Sequence, residues 1–218
     1  MTDAILRGLE QYLTMLKTSG VDVLEGSNKT GQKDALLDLR ETVLRCTKCS
    51  ELAATRKSVV FGSGHTKAQL VFVGEAPGFE EDAQGLPFVG RAGQLLTKII
   101  ESIGLARQNV FICNVLKCRP PGNRNPLSEE IVNCEPYLLK QLEIIRPKII
   151  CALGTFAAQA LLKTTTPISS LRGKFYEWNG AKLICTFHPA YLLRNPGDKR
   201  KVWEDMKMIR AALSSECT

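Results

Sequence analysis

Leu70-Val71-Phe72-Val73-Gly74-Glu75-Ala76-Pro77-Gly78-Phe79-Glu80-Glu81-Asp82, running on through Gly85-Leu86-Pro87-Phe88-Val89-Gly90-Arg91-Ala92-Gly93, decides the fold. Residues 70–73 have the length and composition of a buried strand. Gly74 ends that run, a glycine-rich loop with an acidic segment follows, and Gln94-Leu95-Leu96-Thr97-Lys98-Ile99-Ile100 resumes at helical spacing. Polar side chains on such a loop, past the C-terminal end of a buried strand, stand where open α/β sheets bind ligands. The glycines do not fall as G-x-G-x-x-G, so this is not a dinucleotide fingerprint. Read blandly, the loop is a strand-to-helix connection with a solvated acidic turn. Phe88 argues against that, as an aromatic with no obvious core to join.

The alternation continues outward. Residues 109–116 read as a second strand and 147–153 as a third, with a fourth over 183–187. Helices are expected over 90–103, 128–145, 154–162 and 199–213. Ser128 is the expected cap of the second, and Glu129 and Glu130 suit its positive end. Strands that alternate with helices make a parallel sheet covered on both faces. The expected fold is α/β, a three-layer α/β/α arrangement on a central, mostly parallel four-stranded sheet. Residues 1–32 form a separate extension: Ile5, Leu9, Tyr12, Leu13 and Leu16 share a helical face, and a Gly/Ser-containing linker follows. Residues 33–218 form the main domain, opened by an amphipathic helix over 34–44.

The formal net charge of +7 suits a polyanionic partner. No apolar run approaches the roughly 18 residues of a membrane span. The first residues lack a basic-then-apolar leader, so the expected location is cytoplasmic. Eight cysteines in such a chain point to metal or redox chemistry rather than disulfides. Cys46-x-x-Cys49 is a ligand-type pair. Cys118, in a Pro- and Arg-rich loop, and Cys134, in the next helix, complete the expected set. Cys113, Cys151 and Cys185 lie in apolar strand runs, where a thiol is usually a small buried hydrophobe. Four thiolates suit zinc or a [4Fe–4S] cluster, and spacing does not separate the two.

Three stretches together resemble the family 4, iron–sulphur uracil-DNA glycosylases. Residues 74–78 with 85–96 are similar to that family's first motif. Thr186-Phe187-His188-Pro189-Ala190-Tyr191-Leu192-Leu193-Arg194-Asn195-Pro196 is similar to its second. Cys46 and Cys49, followed by Cys118 and Cys134 sixteen positions apart, are similar to its ligand pattern. The resemblance spans about residues 39–213. It implies a structural [4Fe–4S] cluster on those four cysteines, and no other metal for catalysis.

The resemblance also implies site residues. Such an enzyme flips the nucleotide and reads its edge in a pocket. Asn114 corresponds to the residue that reads uracil N3–H and O4, a match a carboxamide can make because it both accepts and donates. Phe88 would stack on the base. Gly74 and Ala76 belong to the base-binding loop, and Glu81 matches a position beside the C5 edge. His188 would donate to uracil O2, and Glu75 is the candidate for placing or activating water. The strongest general base of the superfamily, an Asp before the motif's Pro, is replaced here by Ala76. Leu192 or Leu193, with Arg194, would wedge into the minor groove. Lys117, Arg119, Arg124, Arg172, Lys174, Arg194, Lys199, Arg200 and Lys201 could grip phosphates.

The implied activity is release of uracil from single- or double-stranded DNA by a monomer, in base excision repair. A uracil-DNA-binding or trapping iron–sulphur protein without turnover is the alternative, and a redox protein a third reading. The Pro-rich loop 119–126 is intact and holds no histidine, which argues against the trapping relatives. The redox reading leaves Phe88, Asn114 and His188 unexplained.

Overall fold

A computed structural model describes residues 31–215 of the chain. Helix α1 (Gln32–Leu44) and α2 (Ser50–Thr55) precede a short edge strand β1 (Ser63–Gly64) and the buried strand β2 (Leu70–Gly74). Then come α3 (Phe79–Gln84), α4 (Arg91–Ser102), β3 (Phe111–Asn114), α5 (Ser128–Ile145), β4 (Ile149–Leu153) and α6 (Thr155–Leu162). The chain closes with α7 (Ile168–Leu171), β5 (Phe175–Trp178), β6 (Ala181–Thr186), α8 (Pro189–Arg194) and α9 (Lys199–Ser214). The expected N-terminal helix and linker lie outside the described residues, except that Gln32 opens α1 rather than ending a linker.

The six strands lie in the order β1-β3-β2-β4-β6-β5. The four inner strands are parallel, with Gly74 opposite Asn114 and Leu153 opposite Thr186. These are the four strands expected from the sequence. The two edges are antiparallel additions, β1 on β3 and β5 on β6. Strand β5 carries Phe175, Tyr176 and Trp178, and Asn179-Gly180, both at positive φ, turns the chain into β6. Aromatics followed by Asn-Gly are a hairpin signal that the alternation argument passed over.

Period-two alternation sends successive strand residues to opposite faces. On one face Val71, Val73, Cys113, Ile150, Ala152 and Leu183 pack with Val43 of α1, Leu52 of α2, Leu138 and Leu142 of α5 and Ala157 of α6. On the other, Phe72, Ile112, Cys151 and Ile184 pack with Leu96 and Ile100 of α4, Leu192 of α8 and Val202, Met206 and Ile209 of α9. The three-layer expectation holds, and Cys113, Cys151 and Cys185 are the buried hydrophobes the sequence suggested.

Two local readings are corrected. The cap of α5 is Leu127, and Ser128 is the first helical residue; Glu130 Oε2 reaches back to accept from Leu127 N–H at 2.8 Å, and no cap side chain accepts from the first turn. The acidic segment after Gly78 is a helix, not a solvated turn. Of its three acids only Glu80 is exposed. Asp82 is buried and its Oδ1 accepts from Lys57 N–H at 2.9 Å and Ser58 N–H at 3.1 Å.

Candidate active site

All four inner strands end on the same side, and their C-terminal ends carry Gly74 (β2), Asn114 (β3), Gly154 (after β4) and His188 (after β6). A cleft of about 440 Å³ opens there. Glu75, Ala76, Glu81, Phe88, Asn114 and His188 all line it, as does Arg194. The loop sequences Pro77-Gly78 and Pro120 to Arg124 supply further wall.

Phe88 is held by backbone geometry that its residue type does not favour. Its φ is 52°, in the left-handed region, and only 6% of the side chain's surface is exposed. Such a backbone costs of order 1–3 kcal/mol and persists where the surroundings over-determine it. They do so here. Glu81 Oε1 accepts from Val89 N–H at 2.9 Å and Gly90 N–H at 3.0 Å, and its Oε2 accepts from Gly78 N–H at 3.1 Å. Arg107 donates to Pro87 O. Gly93 on α4 lets the Phe88 backbone pass, since a Cβ there would lie 1.8 Å from Phe88 O. Gly74 is not part of the cleft wall. It lies behind it, where a Cβ would sit 2.4 Å from Asn114 Oδ1 and 2.6 Å from Phe88 Cζ.

Asn114 is 1% exposed. Its backbone carbonyl accepts from the buried Lys117 ammonium at 2.7 Å, and that ammonium also donates to Gln141 Oε1 at 2.6 Å. Its side-chain Oδ1 is the one buried side-chain N or O atom among the described residues with no hydrogen-bond partner. Buried polar groups are nearly always paired, so this acceptor is an exception among the described residues, and its residue lines the cleft.

His188 caps α8, and its Nδ1 accepts from Ala190 N–H at 3.1 Å. That bond assigns Nδ1 as the unprotonated nitrogen and leaves Nε2–H as the donor. Burial, and then the nearby Arg194 charge, pull the imidazole pKa down to about 4, against a smaller upward pull from Glu81. His188 is therefore neutral at pH 7. Its ring centroid lies 5.5 Å from that of Phe88. Burial lifts the Glu75 carboxyl above the ordinary carboxylate range.

Phe88, Asn114 and His188, named from separate stretches of the sequence, thus come together around one cleft. Residues 61–207 match the model of the uracil DNA glycosylase superfamily. The type-4 uracil-DNA glycosylase of Saccharolobus solfataricus is 47% identical over 190 residues, spanning 83% of this chain and 88% of that protein. Those of Archaeoglobus fulgidus and Thermotoga maritima are 47% and 46% identical, over 81% of this chain in each case and 92% and 93% of the relatives. The chain belongs to the type-4 uracil-DNA glycosylases.

Other residues named from the sequence divide. Leu192 is 1% exposed and packed against α4 and α9, so it is corrected from wedge to core. Leu193 is 40% exposed. The cause is the helical step: consecutive residues on α8 point about 100° apart. Lys117 and Arg172 are not phosphate ligands either. Lys117 is enclosed, and Arg172 is engaged by Asp205 at 2.7 Å and Lys201 O at 2.6 Å. Arg124 lines the cleft but also bridges Glu130, at 2.7 Å, and Glu51, at 2.6 Å. Tyr191 was missed as a cleft residue. Its hydroxyl donates to Asp198 at 2.6 Å and its ring stacks on Phe187 at 4.9 Å. Only its place in the His188 motif could have signalled it.

Cys46, Cys49, Cys118 and Cys134 line one small cavity between α1, α2, the loop after β3 and α5. No three of the described His, Cys, Asp or Glu side chains form a single-ion site. Two of the sulphurs have donors: Arg56 Nη1 to Cys118 at 3.0 Å and Lys117 N–H to Cys134 at 3.2 Å. Four cysteines around one void, two of them with donors to sulphur, fit an iron–sulphur cluster, whose properties depend on such bonds. Without metal, burial raises the Cys49 and Cys118 thiols and pushes Cys134 up to about 11.

Proposed function

We infer that the protein is a monofunctional uracil-DNA glycosylase that acts on uracil-containing DNA and leaves an abasic site. The observation that carries the reading is the orphan Asn114 Oδ1 in a cleft shared with Phe88 and His188. Oδ1 accepts from uracil N3–H and the amide nitrogen donates to O4, while cytosine, with those two positions reversed, mismatches both. Phe88 stacks on the flipped base.

The bond from the sugar C1′ to N1 breaks with its electron pair leaving on the uracil, and a water oxygen bonds to C1′. Negative charge on the departing ring is greatest in the transition state, where a donor at O2 counts most. Neutral His188 supplies that donor through Nε2–H without a proton transfer. Glu75 holds the water and takes its proton, and the burial that raises its pKa makes it a better base. Glu81 organises the loop that carries Phe88, and in doing so stands at the cleft wall, where it crowds the C5 edge.

Cys46, Cys49, Cys118 and Cys134 hold a [4Fe–4S] cluster whose part is structural, tying α1 and α2 to the loop that ends at Arg124. No second metal takes part. The residues before α1 form an appendage to the catalytic domain, which begins with that helix. The enzyme works as a monomer in the cytoplasm, on single- or double-stranded DNA. No described helix is long and apolar enough to cross a membrane.

The test is release of uracil from an end-labelled oligonucleotide under single-turnover conditions. Wild type should convert the substrate. His188→Ala should bind uracil-DNA about as well yet release uracil at least 100-fold more slowly, the usual range for a lost transition-state donor. Stoichiometric uracil-DNA binding or crosslinking without release by wild type would favour the trapping reading instead.

A further inference from the structure

Phe79 is the most exposed aromatic side chain of the described residues, with 55% of its surface open. It opens α3 directly after Gly78 and Pro77, which line the cleft. Two cations ride on its ring. Lys57 Nζ lies 5.3 Å from the ring centroid and the Arg119 guanidinium carbon 5.2 Å from it. Each residue is also bonded elsewhere, Lys57 through its backbone and Arg119 through Nε. The Lys57 backbone N–H donates to the buried Asp82 carboxylate at 2.9 Å, and Arg119 Nε donates to Asn123 Oδ1 at 2.7 Å. Asn123 and Pro120, beside Arg119, also line the cleft. Three elements far apart in sequence thus build one aromatic, doubly cationic rim on the β2–β3 side of the cleft. Nothing in the excision chemistry uses it. The one exposed acid on the helix, Glu80, has a carboxylate oxygen beside Gly90: a Cβ on that glycine would meet it at 2.4 Å, and Glu81 and Asp82 are engaged by backbone N–H groups.

We propose that Phe79, Lys57 and Arg119 form a subsite for a nucleotide that flanks the uracil in single-stranded DNA, the base stacking on the Phe79 ring and the two cations pairing with the adjoining phosphates. The proposal rests on the uracil-DNA reading of the cleft. An exposed aromatic beside a cationic track is how proteins hold single strands without regard to sequence. Cation–π contact at an exposed ring is weak, so phosphates draw Lys57 and Arg119 off the ring and free its face for a base. In a duplex the flanking base is already paired and stacked. The subsite therefore favours the unpaired strand. Leu193, exposed on α8 next to the cleft residue Arg194, is the side chain available to a duplex.

The test compares wild type, Phe79→Ala and Phe79→Trp on single-stranded and duplex oligonucleotides carrying one uracil. In further single strands the base on one side or the other of the uracil is replaced by an abasic residue. Phe79→Ala should weaken single-strand binding about tenfold, within the range measured for one stacked base, and duplex binding by less than twofold. Phe79→Trp should restore it. One of the two abasic substitutions should cost wild type a similar factor and cost Phe79→Ala nothing more. Lys57→Ala and Arg119→Ala should each flatten the salt dependence by about one phosphate contact. Equal single-strand affinity of wild type and Phe79→Ala, or a loss in the variant that is indifferent to the flanking bases, overturns the subsite. The uracil-DNA reading would stand in that case, because wild-type release of uracil tests it separately.

Discussion

Asn114 and His188 carry opposite kinds of polarity, and each makes a prediction. Asn114→Asp replaces an amide that accepts and donates by a carboxylate that only accepts. It then faces uracil O4 with no proton between the two oxygens. Uracil release should fall steeply, since an unmatched buried polar group costs about 1–3 kcal/mol and more when charged. Cytosine N4 offers the carboxylate a donor, so weak cytosine release should emerge, more of it at lower pH, where a protonated Asp can also serve N3. Single-turnover release from strands with one uracil or one unpaired cytosine measures both. Near-wild-type uracil activity in the variant would remove Asn114 from its role. His188 is depressed to about 4 in the folded protein against about 6.5 unfolded. Between those values the unfolded chain binds the extra proton, so stability rises with pH through that window. The contribution is complete above about pH 6.5 and is lost as pH falls towards 4. Denaturant midpoints should drop from pH 7 to pH 5 more in wild type than in His188→Asn, which cannot titrate. Equal drops would mean that the imidazole is not held neutral by its surroundings.

At the scale of an element, α8 puts two leucines in sequence to opposite uses. Leu192 fills the space between α4 and α9, and Leu193 stands in solvent beside Arg194. Leu192→Ala should destabilise the fold by about 2–5 kcal/mol, as large-to-small core changes do. Leu193→Ala should leave thermal stability within a degree or two and slow release from duplex DNA more than from single strands. Urea melts and paired release assays separate the two effects, and a stable Leu192→Ala protein would place the wedge back on that residue. Helix α3 makes a second point of this kind. Its carboxylates Glu81 and Asp82 satisfy five backbone N–H groups, so the acidic run is a fastening for two loops rather than a solvated face.

At the scale of the whole molecule, two centres stand on neighbouring segments. The loop between Asn114 at the end of β3 and α5 begins at the cleft, passes Cys118 and returns to the cleft at Arg124, which is bonded to Glu51 of α2 and Glu130 of α5. Anaerobically purified protein should be brown, with broad absorbance near 400 nm on the order expected of a [4Fe–4S] centre. Cys118→Ser should lose iron and lower the melting temperature more than Cys151→Ser, which changes only a buried thiol in the sheet. Stoichiometric zinc without iron would overturn the cluster, and equal effects of the two substitutions would remove Cys118 from the ligand set.

The four parallel strands and their covering helices were legible in the sequence because their signals are local, whereas Glu75, Phe88, Asn114 and His188 were singled out through the family resemblance and are brought to one cleft by the fold. A buried strand announces itself by an apolar run, and a strand-end loop by its glycines and its polar residues. The edge strands were not, since two or four half-buried residues carry little periodicity, and the Asn179-Gly180 turn was the one signal available. Three further decisions belonged to the tertiary structure alone. Which of Leu192 and Leu193 faces solvent depends on how α8 is rotated against α4 and α9. Whether Lys117 and Arg172 meet phosphate or protein depends on Gln141 and Asp205, 24 and 33 positions away. That Asn114 Oδ1 is left without a partner depends on what packs beside it, including Gly74 of the neighbouring strand, where a Cβ would lie 2.4 Å from that oxygen. Sequence specifies what a side chain can donate or accept; only packing specifies what is there to receive it.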